Sequence, residues 1–322
     1  MDALIREGRF RLYVASLALA ILSNFYIGYM TCFFLAVYFF IRYATLTPEE
    51  RNPRMIWHAF WKTLLRMLLF SLLAVMIASV IILPVYYSLS FGKLEFSEPK
   101  YEAKQLFDWL EMLTKAFFGS YDSVRPTGMP FLYCGTLMPL LLPLYFLTPH
   151  IPLRKKIGSL VTLAFLFVSF NFSILDIIWH GFQRPNWLNA RFAFMFVFFA
   201  VLFTYDAFRY LRETGVRRIG VTAMLSVVLL LVMQAMGYKN VDDFLTVWAG
   251  IFFIAAYAVC VPFAIRRSEE DPVSLYNNRE LLLVMLIVFE MVLNGVAMTY
   301  SLDADVSFTS RRSYRHFMDK YS

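Results

Sequence analysis

LYVASLALAILSNFYIGYMTCFFLAVYFFIR, residues 12–42, runs for 31 residues without a charge before Arg42. About 17–25 apolar residues cross a bilayer as a helix, so this run is long for one span and short for two. Asn24, followed by Phe25 and Tyr26 with Gly28 just beyond, reads as a break whose freed backbone groups neighbouring helices can satisfy. Two short helices are expected. One long helix would carry Arg6, Arg9 and Arg11 to the outside, against the tendency of Lys and Arg to stay in the cytoplasm.

The rest of the chain repeats this pattern. Apolar stretches near 12–23, 25–42, 67–88, 131–148, 157–173, 192–208, 219–236, 245–265 and 281–300 predict nine spans. Of the 322 residues, 60% are hydrophobic and 16% charged, against about 45–50% and about 25% in ordinary soluble domains. That leaves too little polar surface to cover a soluble core, and 18% aromatic residues exclude a disordered chain. The fold class is therefore all-α: a polytopic helical transmembrane bundle. The formal charge of +7 reads as cytoplasmic-loop Lys and Arg, and nucleic acid is not expected as a partner. Cys32, Cys134 and Cys260 sit far apart in apolar segments, which is neither a disulfide framework nor a metal site. No small-residue cleavage site follows the first apolar run, so no cleavable signal is read.

Counting Lys and Arg places 18 of the 30 on one side of a nine-span topology, with the N-terminus inside and the C-terminus outside. Residues 1–300 form the transmembrane domain and 301–322 an external tail. Residues 49–66, EERNPRMIWHAFWKTLLR, mix Trp57, Phe60 and Trp61 with basic residues. They suit a cytoplasmic interfacial amphipathic helix, or equally a linker helix packed on its neighbours. The external loop 89–130 carries apolar residues at 106, 107, 110, 113 and 117, a helical stripe expected to lie on the outer membrane face and to stop at Gly119. Tyr121 and Asp122 lie in the polar turn that follows.

Nucleotide-binding loops, nucleophile elbows and zinc spacings are absent. The densest polar group is the external hairpin 174–191, within DIIWHGFQRPNWLNARF (176–192). It gathers Asp176, His180, Gln183, Arg184, Asn186, Asn189 and Arg191 beside Trp179, Phe182 and Trp187. Asp176 and His180 are four apart and share a helix face, with Gly181 and Pro185 to end that helix. The tryptophans alone could be an interfacial belt. An arginine fork at a helix mouth suits phosphate, while Asp176 could instead satisfy Arg191 structurally. Glu290, mid-span in LLLVMLIVFEMVLNGVAM, is a functional candidate or a structural hydrogen-bond partner of a neighbouring helix or of Asn294. Asp206 reads as a partner of Arg209.

NFYIGYM (24–30), FGSYDSVRPTGMPFLYCG (118–135) and WHGFQRPNWLNARF (179–192) resemble, in this order, the YfhO family of bacterial membrane proteins. The resemblance implies a GT-C-like glycosyltransferase that takes a sugar from a polyprenyl-phosphate carrier. The implied acceptor is a cell-envelope glycopolymer such as lipoteichoic acid, outside the bacterial cytoplasmic membrane. It also implies further helices before residue 1 and an external domain after the last span. The chain is thus expected to be the core of such a protein, without the loop that carries the family type's usual catalytic acid. Inverting transfer needs a proton-accepting carboxylate, for which Asp122 and Asp176 are candidates. Positive charge is needed at the departing phosphate, for which Arg184 and Arg191 are candidates. Tyr121, His180, Gln183, Trp187 and Asn189 complete the expected substrate-binding set. No cofactor is expected, although a divalent cation riding on the carrier phosphate fits the chemistry, and membrane lipid is an expected partner. The alternatives are a transporter or flippase of a lipid-linked substrate, suggested by Glu290 and the break at Asn24, or a non-catalytic membrane assembly protein.

Overall fold

Asn24 does end one helix and begin the next. In the computed structural model, which describes residues 1–46, 57–91, 103–120, 128–183, 189–265 and 278–301, its backbone is extended and its Oδ1 accepts from the amides of Tyr26 and Ile27 at 3.0 and 3.1 Å. This is an N-cap of the kind worth about 1 kcal/mol. Gly28 permits the return: a Cβ there would lie 2.7 Å from Ile21 Cα. The two helices fold back as a hairpin, so that Arg42 Nε, near the end of the second, donates to Asp2 Oδ1 at 2.9 Å.

The described helices are α1 (Asp2–Glu7), α2 (Arg11–Ser23), α3 (Phe25–Ala44), α4 (Trp57–Ser90), α5 (Trp109–Thr114), α6 (Leu137–Leu147), α7 (Leu153–Asn171), α8 (Ser173–Trp179), α9 (Ala193–Arg209), α10 (Leu211–Thr214), α11 (Val216–Ala235), α12 (Phe244–Ile265) and α13 (Asn278–Ser301). Among the described residues there is no strand, only an isolated bridge between Gln105 and Phe172. Each of the nine apolar stretches is helical over much of its length. Among the described residues, five helices are long and apolar enough to cross a membrane, over Phe25–Ala44, Phe60–Ser88, Val216–Ala235, Phe244–Ile265 and Glu280–Thr299. The expectation of nine full crossings is thereby cut back. At about 1.5 Å per residue, the 13 residues of α2 and the 11 of α6 fall short of the roughly 30 Å hydrocarbon layer.

The bundle turns greasy side chains outward. On α4, Leu65, Leu68, Leu72, Met76, Val80 and Leu83 are all more than half exposed, which only an apolar surrounding tolerates. The opposite face of α4 carries Ser71, Ala74 and Ala78, the two alanines fully buried. These small residues let α2 approach closely, and Tyr13 and Ser71 share a hydroxyl hydrogen bond of 2.7 Å. The main core lies elsewhere, among α3, α6, α7, α9, α11 and α12, around Leu140, Leu166, Phe170, Phe192, Phe253 and Tyr257.

Both stretches with an amphipathic pattern are partly described. Of the stretch 49–66, residues 49–56 lie outside the described residues. From Trp57 onward the chain is the opening of α4, because nothing between Lys62 and Met67 breaks it. Phe60 packs on Tyr43 at 5.1 Å and on Phe39 at 6.1 Å, the linker-helix alternative. In the loop 89–130, the helix found among the described residues beyond the end of α4 is α5, six residues capped by Asp108. Of the stripe, Phe117 is buried, Phe107, Leu110 and Leu113 are half-buried and Leu106 is exposed, and α5 rests on α11. The stripe exists, and its C-terminal end, at Phe117, meets protein. Gly119 ends the segment as expected, with φ +80°. The tail from residue 302 onward lies outside the described residues.

Contacts sort the helix ends into two faces. At one, besides the Asp2–Arg42 pair, Arg154 reaches the Leu46 carbonyl at 3.4 Å and His150 pairs with Glu213 at 2.6 Å. At the other, Asn171 Oδ1 accepts from the amides of Leu106 and Phe107 at 3.1 and 2.7 Å. There too the Tyr238 hydroxyl donates to Asp108 at 2.7 Å and the Gly119 amide to Asn294 Oδ1 at 3.0 Å. The first is the basic face and the second the hairpin face.

Candidate functional site

The hairpin face is built on a helix that stops early. Helix α8 ends at Trp179, the amide of His180 bonds back to the Asp176 carbonyl at 3.1 Å, and Gly181 turns the chain with φ +69°. Phe182 follows at φ +63°, and Ala190, across the hairpin, stands at φ +55°. Left-handed backbone in non-glycine residues costs about 1 kcal/mol or more and gathers at functional turns. Both strained positions flank the expected site.

Asp176 and His180 meet as the spacing predicts. His180 Nδ1 lies 3.2 Å from Asp176 Oδ1 and 2.7 Å from the Asp176 carbonyl oxygen. Both residues are buried. With Nδ1 carrying the proton, the ring donates to Asp176 and Nε2 is the lone-pair nitrogen; that Nε2 is buried without a hydrogen-bond partner. An imidazole oriented by a backbone carbonyl, with a carboxylate beside the same nitrogen, can act as an acid–base unit.

Helix α3 supplies what the sequence did not single out. The Tyr29 hydroxyl donates to the Ile178 carbonyl at 2.9 Å, tying the start of α3 to the end of α8. Tyr26, one turn earlier, has its ring 5.9 Å from that of His180 and takes the Arg191 guanidinium over its face at 5.0 Å. A cation on an aromatic face is held by the ring quadrupole. Tyr26 thus stands between the Asp176–His180 pair and Arg191. The signal was available in NFYIGYM, whose two tyrosines three apart lie on one helix face.

The remaining expected residues divide. Gln183 and Arg191 are exposed and Asn189 is half-buried. Tyr121, Asp122, Arg184 and Trp187 lie outside the described residues. Trp179 does not belong to an interfacial belt. It is fully buried, stacked on Phe192 at 4.3 Å with Phe33 edge-on at 4.8 Å, and it fixes the hairpin to the core. The phenylalanines after Arg191 also split. Phe192, Phe196 and Phe199 face inward, while Phe194 and Phe198 face outward.

A second polar centre lies deeper. Glu290 on α13 is completely buried. Its Oε1 accepts from the Tyr133 hydroxyl at 2.6 Å, the Thr136 amide at 2.7 Å and the Thr136 hydroxyl; its Oε2 accepts from the Tyr257 hydroxyl at 2.6 Å. Of the two partners expected, the neighbouring helix is the one found, through Tyr257 of α12, and not Asn294. Asn294 instead holds the Gly119 amide, so α13 grips both ends of the 118–135 motif. Asp206 lies 3.8 Å from Arg209 with both side chains half-exposed, a loose pair at most. Among the described residues, no group of three or more His, Cys, Asp or Glu could hold a metal ion.

No curated protein and no solved structure matches the chain. The family model described as "Bacterial membrane protein YfhO" matches residues 1–322, the whole of it. Its motifs, its outward apolar helices and that full-length match agree: the chain belongs to the YfhO family of bacterial membrane proteins.

Proposed function

We propose that the chain is the membrane core of a GT-C-like glycosyltransferase. It passes a sugar from a polyprenyl-phosphate carrier to a cell-envelope polymer such as lipoteichoic acid, on the outer side of the cytoplasmic membrane. The observation that carries the reading is the convergence of Asp176, His180, Tyr26 and Arg191 at one face of the bundle. An acid–base pair stands on one side of a tyrosine ring and an exposed cation on the other. The acceptor hydroxyl gives up its proton, its oxygen attacks the anomeric carbon, and the bond to phosphate breaks with its electron pair on the phosphate. Arg191, with Arg184, compensates the charge that develops there. Asp176, held against His180, serves through that imidazole, and Asp122 is the other candidate carboxylate. The N-terminus is inside and the C-terminus outside in this reading.

The transporter or flippase reading draws on Glu290, which sits at mid-membrane where carriers place substrate groups. Its carboxylate is engaged by Tyr133, Thr136 and Tyr257, which favours a structural role. Deleting the gene and weighing the lipoteichoic acid by mass spectrometry tests the proposal. Loss of a hexose or N-acetylhexosamine increment, restored by the native gene but not by Arg191→Ala, supports it. An unchanged polymer refutes it, and lipid-linked sugar accumulating untransferred on the inner leaflet would point to the flippase.

A further inference from the structure

The basic face carries a cavity that the sugar-transfer reading does not use. It is open to solvent, about 180 Å³, and bounded by α1, α3, α6, α7 and α9. That is smaller than the pockets that enclose whole drug-sized ligands, and it has room for one small polar group. Arg42 enters it from α3 and Lys155 from α7, while Asp2 and Asp206 stand on the same walls. The charges are layered. The Arg42 side chain is 11% exposed and that of Asp2 55%, and Asp206 is 45% exposed. Positive charge therefore lies deep at Arg42 and the carboxylates lie toward the opening. Tyr38 and Tyr145 line the inner wall, the latter sharing a 2.8 Å hydrogen bond with Ser159. The position matters as well. The apolar helix α3 ends at Ala44 beside it, and an α3 that spans the bilayer would put this cavity among the lipid headgroups.

We propose that this cavity binds the headgroup of a zwitterionic aminophospholipid of the phosphatidylethanolamine type, with its phosphate between Arg42 and Lys155 and its ammonium between Asp2 and Asp206. Two cations and two carboxylates match a ligand that carries one charge of each sign. A guanidinium has five N–H donors and serves a carboxylate and a phosphate together. A glycerol headgroup offers the same phosphate but no positive charge to the two carboxylates, so it leaves them without a counter-ion. A choline headgroup keeps the positive charge but has no N–H to donate to them. The proposal is independent of the sugar-transfer reading.

The test is native mass spectrometry of the full chain in detergent, titrated with phosphatidylethanolamine, phosphatidylcholine and phosphatidylglycerol of equal chain length. Free phosphoethanolamine serves as a fourth arm. The ethanolamine lipid should bind about fivefold or more tighter than either other lipid. Lys155→Ala should weaken it about tenfold, the scale of one charge-assisted hydrogen bond. Asp206→Asn, on a half-exposed side chain, should weaken the ethanolamine lipid while leaving the glycerol lipid unchanged or tighter, and it carries the test if Lys155→Ala does not fold. Equal binding of the three lipids, tighter binding of the glycerol lipid, or indifference to Asp206→Asn would overturn the proposal. Free phosphoethanolamine binding as tightly as the lipid would overturn it in favour of a soluble ligand.

Discussion

Replacing Glu290 by alanine removes an acceptor from four donors at once: the hydroxyls of Tyr133, Tyr257 and Thr136 and the Thr136 amide. The site has no exposure to solvent, so the stranded groups cannot turn to bulk water. Hydrogen bonds between membrane helices average about 0.6 kcal/mol and reach about 1.7. Four together come to roughly 2–4 kcal/mol, which in a chain of this size lowers Tm by roughly 3–6 °C. The three cysteines are all half-buried, so a thiol-reactive fluorophore reports unfolding of the purified protein without added labels. The stronger test is a sign change. Tyr133→Phe should destabilise the native chain, because it removes a bond. In the Glu290→Ala background it should stabilise, because it removes a buried hydroxyl left without this acceptor. If Tyr133→Phe has the same effect in both backgrounds, the carboxylate is not what holds Tyr133, and the reasoning fails.

Gly28→Ala should cost about 1–3 kcal/mol through overpacking, since its Cβ would meet Ile21 Cα at 2.7 Å; Gly220→Ala, with open space around it, should be neutral or slightly stabilising in the same melt. Asp108 is held below the usual carboxylate range by the Tyr238 hydroxyl and the amides of Glu111 and Leu110, and Tyr238 is pushed up to about 12 by the same bond. A lowered folded value means stability that is present above the ordinary carboxylate pKa and lost as pH falls through the lowered one. Protection of the α5 amides, measured against their intrinsic exchange rate, should accordingly fall below about pH 4, and Asp108→Ala should lower it at neutral pH and flatten that dependence. Single cysteines at Ser97, Ser123 and Asn189 should react with an impermeant thiol reagent from outside the cell, and those at Glu49, Lys155 and Ser268 should not; external labelling of Lys155→Cys would reverse the proposed orientation. Arg191→Lys should accumulate normally yet bind a polyprenyl-phosphate sugar more weakly, because an ammonium keeps the charge but not the two-pronged fork. Unchanged carrier affinity in Arg191→Ala would end the phosphate role.

What could be read from the sequence alone was local. Apolar runs give helices, and the break at Asn24 follows from a capping side chain acting within three residues. The Asp176–His180 pair follows from the four-residue repeat of a helix, and its stop follows from Gly181. The errors were also errors of range. The run 12–42 showed where helices form, not whether each is long enough to cross. The amphipathic stripe of the 89–130 loop showed an apolar face, not whether lipid or protein would cover it. Only the tertiary structure decided that Tyr26 stands between His180 and Arg191, which lie more than 150 positions further along the chain. The same holds for the return of Arg42 to Asp2 and for Tyr133 meeting Glu290 across 157 positions. In a membrane the solvent is as apolar as the helices, so hydrophobicity drives a segment into the bilayer without selecting its neighbour. The selection is made by close approach at small residues such as Gly28, Ala74 and Ala78 and by polar groups that must find partners inside, and those depend on which faces meet.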